Sequence, residues 1–395
     1  MRWSDTSAVI AFVLPTRDRP FELARTLAGV GALGLGPDVA EIVVVDNGSR
    51  ERPDVPVRTA CGARATLIEL NENRGAAARN VGVSAADASR RWVVMLDDDS
   101  HPLPDADGAM PFVERLGAHG ADVLAVMADI HLSPTEAGDR GREQGGLPEV
   151  PIGCGVAIRR EAFEAVGGYD PSFGFYAEEY DLSAKLMGLG GRVEFDPAWR
   201  VVHHKTPANR DMSLIVERLV RNTAWVMQRY APEAVRTAEV ERVIARCAFI
   251  AEKERALAGF ERGMAALEHT IDAQVRTPLT DARWDRFTGL AAVRGALAVE
   301  LERDPIDAVS LVLPGKNAFV VERAFAERGV EVRRGLARSG VPLAIGTLSP
   351  GPMLDGLELL EPLGRRVIAP WGAASAGMRT ARSFDRARDA AMVFV

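Results

Sequence analysis

WVVMLDDD, residues 92–99, joins five apolar residues to three consecutive aspartates. A short apolar run without alternation predicts a strand that is buried on both faces of a mostly parallel sheet. Three adjacent carboxylates repel one another unless a cation or hydrogen-bond donors compensate them. The stretch therefore predicts a buried strand that ends in an acidic turn, which is either a divalent-cation site or a solvated turn that caps the next helix.

Further strands and helices precede this stretch in regular alternation. Apolar runs predict strands over residues 8–14, 41–45 and 66–70, and helical composition covers 21–32 and 75–88. Strand–helix–strand alternation at this spacing indicates βαβ units and an α/β fold with a mostly parallel sheet. Because ligands bind at the carboxyl ends of strands in open α/β sheets, the polar residues after each strand are candidate site residues.

The rest of the chain divides into three regions of different pattern. The first completes an α/β domain over 1–210, with predicted strands at 123–127, 153–158, 192–195 and 200–203, helices at 160–166 and 178–189, and a loop at 134–151. Long helical stretches follow over 211–303, and a small α/β domain of open role is predicted over 304–395. Within it, residues 312–317 lack the Walker spacing and are predicted to be a simple strand–turn–helix connection.

The composition limits the classes of function. The chain has 395 residues, which suggests more than one domain, and a net charge of -7 without charge blocks, which argues against a nucleic-acid partner. The three cysteines are far apart and odd in number, as fits a reducing cytoplasm. No run approaches the roughly 18 apolar residues of a membrane span, so we expect a cytoplasmic protein, free or peripheral to the membrane. Abundant Ala, Arg and Gly suggest a bacterial source, and self-association stays open.

A second acidic group, Glu178-Glu179-Tyr180-Asp181, opens a predicted helix after a segment rich in glycine and aromatic residues. Carboxylates in a first helical turn are favoured by the helix dipole, which is the structural explanation. The functional explanation is a general base, because a glutamate among apolar neighbours has a raised pKa that suits removal of a proton from a hydroxyl. Both explanations stay open at this point.

Two adjacent histidines, His203 and His204, follow a short predicted strand. Because successive side chains on a strand point to opposite faces, at most one of them faces a crevice, where imidazole is a suitable ligand for Mn²⁺. Basic and polar residues also follow the remaining strands: Thr16, Arg17, Asp46, Asn73 and Arg74. These positions converge on one edge of the sheet, where an arginine would neutralise phosphate charge.

Several motifs, in order along the chain, resemble those of the family 2 inverting glycosyltransferases, which have the GT-A fold. They are VLPTR at 13–17, VVDNGS at 44–49, NRG at 73–75, ARNVG at 78–82, LDDD at 96–99, GCGV at 153–156, EEYDL at 178–182 and VHH at 202–204. The resemblance covers roughly residues 7–210, about half of the chain. It implies a GT-A-like domain that moves a sugar from a nucleotide-diphosphate donor (UDP, dTDP or GDP) to an acceptor hydroxyl in one inverting displacement.

The resemblance also implies roles for individual residues. The nucleotide would be held by Pro15, Thr16, Arg17, Asp46, Asn73, Arg74, Asp97 and Asp98. A divalent metal, Mn²⁺ or Mg²⁺, would be bound by Asp97, Asp99 and His203, with His204 as the weaker candidate. Glu179 occupies the position of the catalytic base, which is commonly an aspartate in the family, so Glu178 stays a rival.

Two other classes of function stay open. A metal-dependent sugar nucleotidyltransferase also joins a nucleotide-binding sheet to a carboxylate site. Such enzymes usually carry a glycine-rich phosphate loop after the first strand, and residues 15–20, PTRDRP, contain no glycine. A non-catalytic sugar-nucleotide-binding scaffold would bind a donor without transferring its sugar. Pyrophosphate release would indicate the first class, and binding without transfer would indicate the second.

Overall fold

A computed structural model describes residues 9–105, 111–134, 141–205, 211–335 and 340–372. It contains one mixed sheet flanked by helices, then a helical region, then a smaller parallel sheet. The predicted α/β fold, with its helical region and small C-terminal α/β unit, is therefore confirmed. Residues 8 and 135–140, which belong to a predicted strand and a predicted loop, lie outside the described residues.

The first sheet contains strands that overlap every apolar run predicted to form a strand in residues 1–210. Its strands are β1 (Ile10–Thr16), β2 (Ala40–Asp46), β3 (Arg64–Glu69), β4 (Trp92–Met95), β5 (Ser100–Pro102), β6 (Val123–Leu132), β7 (Val156–Arg159) and β8 (Arg192–His203). Their order is β3-β2-β1-β4-β7-β6-β8-β5. Strands β1 to β4 run parallel, and β7 is antiparallel to both of its neighbours. The carboxyl ends of β1 and β4 therefore lie side by side.

Helices cover both faces of this sheet, because its central strands are apolar on both sides. The helices are α1 (Pro20–Gly31), α2 (Ala78–Ala85), α3 (Phe112–Ala118), α4 (Arg160–Ala165) and α5 (Glu178–Gly188). Adjacent residues of β1 face different layers: Phe12 packs in a core with Leu23 of α1, whereas Val13 packs in another core with Val83 of α2. Gly82 allows α2 to approach the sheet, since a Cβ there would lie 2.5 Å from Val13 Cγ1.

Strand β8 corrects the prediction of two short strands at 192–195 and 200–203. The structure has one continuous strand, which pairs with β6 and skips residues 197–199 in the pairing. Pro197 lies in the skipped part, because proline has no N–H to donate to a ladder and is found at bulges. The bulge splits one strand into two apolar runs in the sequence and places Trp199 in the core.

The second half of the chain adds helices and a second sheet. These elements are α6 (Met212–Tyr230), α7 (Glu233–Lys253), α8 (Leu257–Thr270), α9 (Asp281–Thr288), α10 (Leu290–Arg303), β9 (Ala308–Val312), α11 (Ala318–Ala326), β10 (Glu331–Arg334), β11 (Leu343–Ile345), α12 (Pro350–Leu360) and β12 (Val367–Ile368). The second sheet is parallel, in the order β10-β9-β11-β12. In the described ranges, no helix has both the length and the apolar character that a bilayer span requires.

One hydrophobic core crosses the predicted domain boundaries. Phe287 of the helical region, Val312 of β9 and Leu348 pack in the same core as Leu147 and Phe173 of the first unit. The first and last units are therefore held against each other through packed side chains. The division at 210 and 303 stays a prediction.

Candidate functional site

The aspartate triplet lies where the chain leaves β4, beside Pro15 and Thr16 at the end of β1. Asp98 accepts a hydrogen bond from Thr16 Oγ1 at 2.9 Å. The guanidinium of Arg19 pairs with Asp98 at 2.7 Å and with Asp99 at 2.7 Å. Arg19 thus supplies positive charge that the triplet needs, although it is not among the predicted site residues.

The two buried aspartates of the triplet differ in protonation. Burial raises the pKa of Asp98 to about 7, against the opposing charge of Arg19. Burial also acts to raise the pKa of Asp99, but hydrogen bonds from His203 and Arg19 outweigh it and lower the pKa to about 2. Asp99 is therefore an anion at neutral pH, as a ligand of a cation must be, whereas Asp98 titrates near neutrality.

Asp97 differs from its neighbours because its side chain is 39% exposed. It forms an ion pair with Arg79 of α2, whose side chain is only 6% exposed. A buried guanidinium needs a carboxylate partner, so the pair fixes a cation next to Asp97. Arg79 lies within the motif at 78–82, whereas the predicted arginine of the phosphate region is Arg74.

Asp97, Cys154 and His203 form a candidate metal centre. Each offers one ligand atom, and these atoms lie within 4.8 Å of one another. Asp99 is close as well, with Oδ1 at 3.3 Å from His203 Nε2. The structure thus brings together the three predicted ligands, Asp97, Asp99 and His203. It adds Cys154, whose isolated position in the sequence gave no sign of a metal site.

The chemistry of these donors fits Mn²⁺ better than Mg²⁺. Carboxylate oxygens suit both ions, but the imidazole of His203 suits a transition metal, whereas Mg²⁺ favours oxygen ligands and water. Burial raises the pKa of the Cys154 thiol to about 11, so the neutral thiol borders the carboxylates and the imidazole. Glu143 Oε2 lies 2.8 Å from His203 Nδ1, which leaves Nε2 on the side of Asp99.

The side chain of His204 contacts other residues than that of His203 does, as the alternation of side chains along a strand predicts. Its ring lies against that of His101, with 5.4 Å between the centroids. Burial lowers the pKa of His204 to about 4, so it is neutral at physiological pH. His203 is therefore the histidine of the candidate metal centre.

The segment before α5 has an unusual backbone that sets the position of the two glutamates at the helix N-terminus. Tyr176 and Ala177 have positive φ angles of 73° and 66°. Such angles are costly for residues other than glycine and persist where the surroundings hold them. Asn222 of α6, which is 0% exposed, donates hydrogen bonds of 2.8–2.9 Å to three carbonyls of residues 173–176. Helix α6 therefore fixes the loop that leads into α5.

We expect Asn222→Ala to lower the free energy of unfolding by roughly 1–3 kcal/mol, because buried carbonyls lose their donor. Urea unfolding measures the difference. Thr223→Ala is the matched control, since it lies on the same helix and removes no hydrogen bond among the described residues. Equal stability of the two variants would contradict the role of Asn222 in holding the loop.

The two glutamates at the start of α5 differ in access. Glu178 is 6% exposed, and within the described chain its Oε2 has no hydrogen-bond partner. Glu179 is partly exposed, and its Oε1 accepts a hydrogen bond from the Gly153 N–H at 3.1 Å. Burial raises the pKa of both carboxyls, and the neighbouring Glu179 raises that of Glu178 further, to well above its ordinary value. A buried Glu178 beside an accessible Glu179 favours Glu179 as the base.

The loops that follow β2 and β3 contact each other at the carboxyl edge of the sheet. Asp46 is 4% exposed and accepts a hydrogen bond from the Ser49 N–H at 3.0 Å. Asn47 joins the two loops, because its Oδ1 accepts from the Arg74 N–H at 2.7 Å and its Nδ2 donates to the Gly75 carbonyl at 3.1 Å. The convergence that the strand ends predict is therefore present at this edge of the sheet.

The other predicted nucleotide-binding residues, Asn73, Arg17 and Arg74, differ in their contacts and exposure at this edge. Asn73 Oδ1 accepts from the N–H two residues further on, at 2.9 Å, and shapes the loop. Arg17 is exposed, and Arg74, 50% exposed, pairs at 3.4 Å with a glutamate two residues before it. The arginines that contact the aspartate triplet are Arg19 and Arg79. Arg74 therefore borders the crevice, and the buried cation of the site is Arg79.

These features occur together at the carboxyl ends of parallel strands. A loop-lined crevice, an acidic candidate metal centre and a buried arginine beside it are typical of α/β enzymes that bind a nucleotide diphosphate. Glycosyl transferase family 2 is the family whose model matches residues 11–176. Residues 11–176 therefore match the family that the motifs resemble, and that resemblance is confirmed.

Two relatives show how much of the chain is shared. Succinoglycan biosynthesis protein ExoO of Rhizobium meliloti (strain 1021) is 37% identical over 216 residues, which are 49% of this chain and 60% of that protein. Polypeptide N-acetylgalactosaminyltransferase 10 of Mus musculus is 27% identical over 233 residues, 49% of this chain and 38% of that protein. The chain thus spans less than two thirds of the length of either relative.

Two solved structures are similar to this chain at lower sequence identity. A structure of GalNAc-T7 with UDP, GalNAc and Mn²⁺ has a TM-score of 0.45 and 19% identity, covering 67% of this chain and 57% of that one. Mannosyltransferase PcManGT from Pyrobaculum calidifontis, in complex with GDP-Man and Mn²⁺, has a TM-score of 0.45 and 18% identity, covering 83% and 90%. The family match ends at residue 176 and does not include Glu178, Glu179 or His203.

Proposed function

We propose that this protein transfers a sugar from a nucleotide-diphosphate donor to an acceptor hydroxyl, with Mn²⁺ bound and with inversion at the anomeric carbon. The observation that carries the proposal is the place of Glu179. It accepts a hydrogen bond from the N–H of Gly153, the residue directly before Cys154 of the candidate metal centre. An accessible base next to a centre for a diphosphate-binding cation is what a single displacement at an anomeric carbon requires.

In the proposed reaction, Glu179 takes the proton of the acceptor hydroxyl while the hydroxyl oxygen attacks the anomeric carbon. The bond from that carbon to the diphosphate oxygen breaks, and the nucleoside diphosphate leaves from the opposite face. One displacement therefore inverts the configuration. Arg79, which pairs with Asp97, is proposed to offset the charge that grows on the leaving diphosphate.

The donor would be held by both sides of the crevice. Asp97, Asp99 and His203 are the proposed metal ligands, and bound Mn²⁺ would supply charge neutralisation at the diphosphate. Thr16 and the buried Asp46 are proposed to contact the nucleoside part of the donor, whose nucleotide is UDP, dTDP or GDP in this proposal. A relative that is named as an N-acetylgalactosaminyltransferase supports sugar transfer as the reaction.

The pH dependence of transfer follows from the proposed base. Glu179 acts only when it is deprotonated, and burial raises its pKa above the ordinary 4.5. We therefore expect kcat/KM to fall as the pH drops through a midpoint above 4.5. A pH–rate profile measures this midpoint, with circular dichroism at each pH to show that the protein stays folded. Constant kcat/KM down to pH 4.5 would exclude Glu179 as a base with a raised pKa.

Donor binding tests the proposal before an acceptor is known. Thermal unfolding would be followed with UDP, dTDP, GDP, CMP and ADP, each with Mn²⁺, with Mg²⁺ and with no metal. A ligand at 100 times its Kd stabilises the native state by about 2.7 kcal/mol. We expect a shift that needs Mn²⁺ and one nucleoside diphosphate. A shift with no metal would remove the metal from the proposal, and binding without any turnover of sugar nucleotides would favour a scaffold.

A further inference from the structure

Segment 141–150 lies between the candidate metal centre and the C-terminal α/β unit. On the metal side, Glu143 is buried, and its Oε2 lies 2.8 Å from His203 Nδ1. Its Oε1 accepts a hydrogen bond from Lys205 Nζ at 2.6 Å. The carboxylate of Glu143 thus pairs with Nδ1 and orients the ring so that Nε2 faces Asp99, a predicted metal ligand, at 3.3 Å, as outer partners of metal-bound histidines do.

On the other side, the neighbouring residue of the segment is held by α12. Arg142 donates from its backbone N–H to Asp355 Oδ2 at 2.9 Å and from Nη1 to Asp355 Oδ1 at 2.8 Å. Its Nη2 lies 2.8 Å from Glu358 Oε1, one turn along the same helix. Arg142 also pairs with Asp129 of β6 at 2.9 Å. The guanidinium is therefore shared between the first sheet and the C-terminal unit.

The backbones of α12 and segment 141–150 are in direct contact. A Cβ at Gly351 would lie 2.5 Å from the carbonyl oxygen of Glu143 and 2.7 Å from Arg142 Cβ, so only glycine permits this approach. Ser349 Oγ donates to the Gly146 carbonyl at 3.3 Å. The position of Glu143 is thus set by contacts on both sides, and those on one side belong to α12.

We propose that α12 is a positioning element of the metal centre: Asp355, through Arg142, holds Glu143 so that His203 presents Nε2 to a divalent cation. This inference rests on the proposed function, because it takes His203 as a metal ligand. It assigns a role to the C-terminal α/β unit within the same chain. Asp355 touches no reacting group and acts only through Arg142 and Glu143.

The direct readout is Mn²⁺ affinity, measured by the electron paramagnetic resonance signal of free Mn²⁺ with the full chain and no donor. Glu143→Gln is expected to weaken Mn²⁺ binding by about 10- to 100-fold. Asp355→Ala is expected to weaken it by roughly 2- to 30-fold, the usual range for residues that act through a contact network. The control is Glu322→Gln, which removes the ion pair with Arg334 elsewhere in the same unit and is expected to bind Mn²⁺ like the wild type.

The double variant shows whether the effect of Asp355 passes through Glu143. If it does, Glu143→Gln/Asp355→Ala binds Mn²⁺ no more weakly than Glu143→Gln alone. Asp355→Asn, which keeps the size of the side chain, replaces Asp355→Ala if the latter does not fold. Wild-type affinity in the folded Asp355 variant, or fully additive effects with Glu143→Gln, would overturn the inference and leave the proposed function intact. A wild-type protein that binds no Mn²⁺ would overturn both.

Discussion

Glu179→Gln is expected to slow sugar transfer by about 100- to 10,000-fold, the range that general-base catalysis contributes, and to leave donor affinity nearly unchanged. The amide keeps the size of the side chain, and its oxygen is able to accept the hydrogen bond from the Gly153 N–H. It has no carboxylate to take the proton of the acceptor hydroxyl. A loss of kcat at constant donor Kd therefore distinguishes a base from a binding residue.

Glu178→Gln is the matched control for this variant, because the two residues are adjacent in the first turn of α5. Glu178 is buried, and burial and the neighbouring Glu179 raise its pKa well above its ordinary value, so an amide of the same size replaces a group that is out of reach of an acceptor hydroxyl. We expect this variant to keep most of the activity. Retained transfer in Glu179→Gln together with lost transfer in Glu178→Gln would assign the base to Glu178 instead.

His203→Gln is expected to weaken Mn²⁺ binding by more than about 100-fold, since the loss of even an outer partner of a metal ligand costs 10- to 100-fold. The stabilisation by the nucleoside diphosphate in the presence of Mn²⁺ is expected to disappear with it, because the diphosphate would lose its counter-charge. Mn²⁺ titration and thermal unfolding with and without nucleotide measure the two effects. Both effects follow from the place of His203 beside Asp97 and Asp99.

His204→Gln is the matched control, because His204 is the next residue and its ring contacts His101 instead of the aspartates. We expect Mn²⁺ affinity and nucleotide binding close to those of the wild type. Equal losses in the two variants would show a general disturbance at the end of β8 in place of a metal ligand. Unchanged Mn²⁺ binding in His203→Gln would remove His203 from the metal centre.

The first sheet was predictable because its central strands are short, apolar on both faces and separated by helices. Residues 10–14, 41–45 and 92–95 are continuous apolar or nearly apolar runs, and the structure has strands at all three. The polar residues that follow them had to meet at one edge, since parallel strands end on the same side. The bulge around Pro197 was not predictable in the same way, because an interrupted strand and two short strands have the same sequence pattern.

The acidic residues of the site were predicted from the sequence, but several of the residues that pair with them were not. Asp97, Asp99 and His203 stand at or next to predicted strand ends, where ligands bind in α/β sheets, and the motif order pointed to them. Arg19 and Arg79 lie on or near helices, where an arginine has no local sign of burial. Glu143 lies in a predicted loop and reaches His203 across 60 positions, a contact that only the fold determines.

The contact of the C-terminal unit with the site was hidden for the same reason. Arg142 and Asp355 are 213 positions apart, so neither periodicity nor a local motif links them. Gly351 carried a weak signal, since a glycine within a helix is unfavourable unless a backbone approaches closely. The sequence could show that a small α/β unit follows the helical region, but not which side of the first unit it supports.

An inverting sugar transfer that depends on Mn²⁺ is tested most directly by its product. Wild-type protein would be incubated with UDP-, dTDP- and GDP-sugars of known anomeric configuration, with Mn²⁺ and a panel of hydroxyl acceptors. After chelation of the metal, the first-formed product would be analysed by NMR. We expect Mn²⁺-dependent release of one nucleoside diphosphate and a new glycosidic bond of configuration opposite to that of the donor. A product with the configuration of the donor would contradict the single displacement by Glu179.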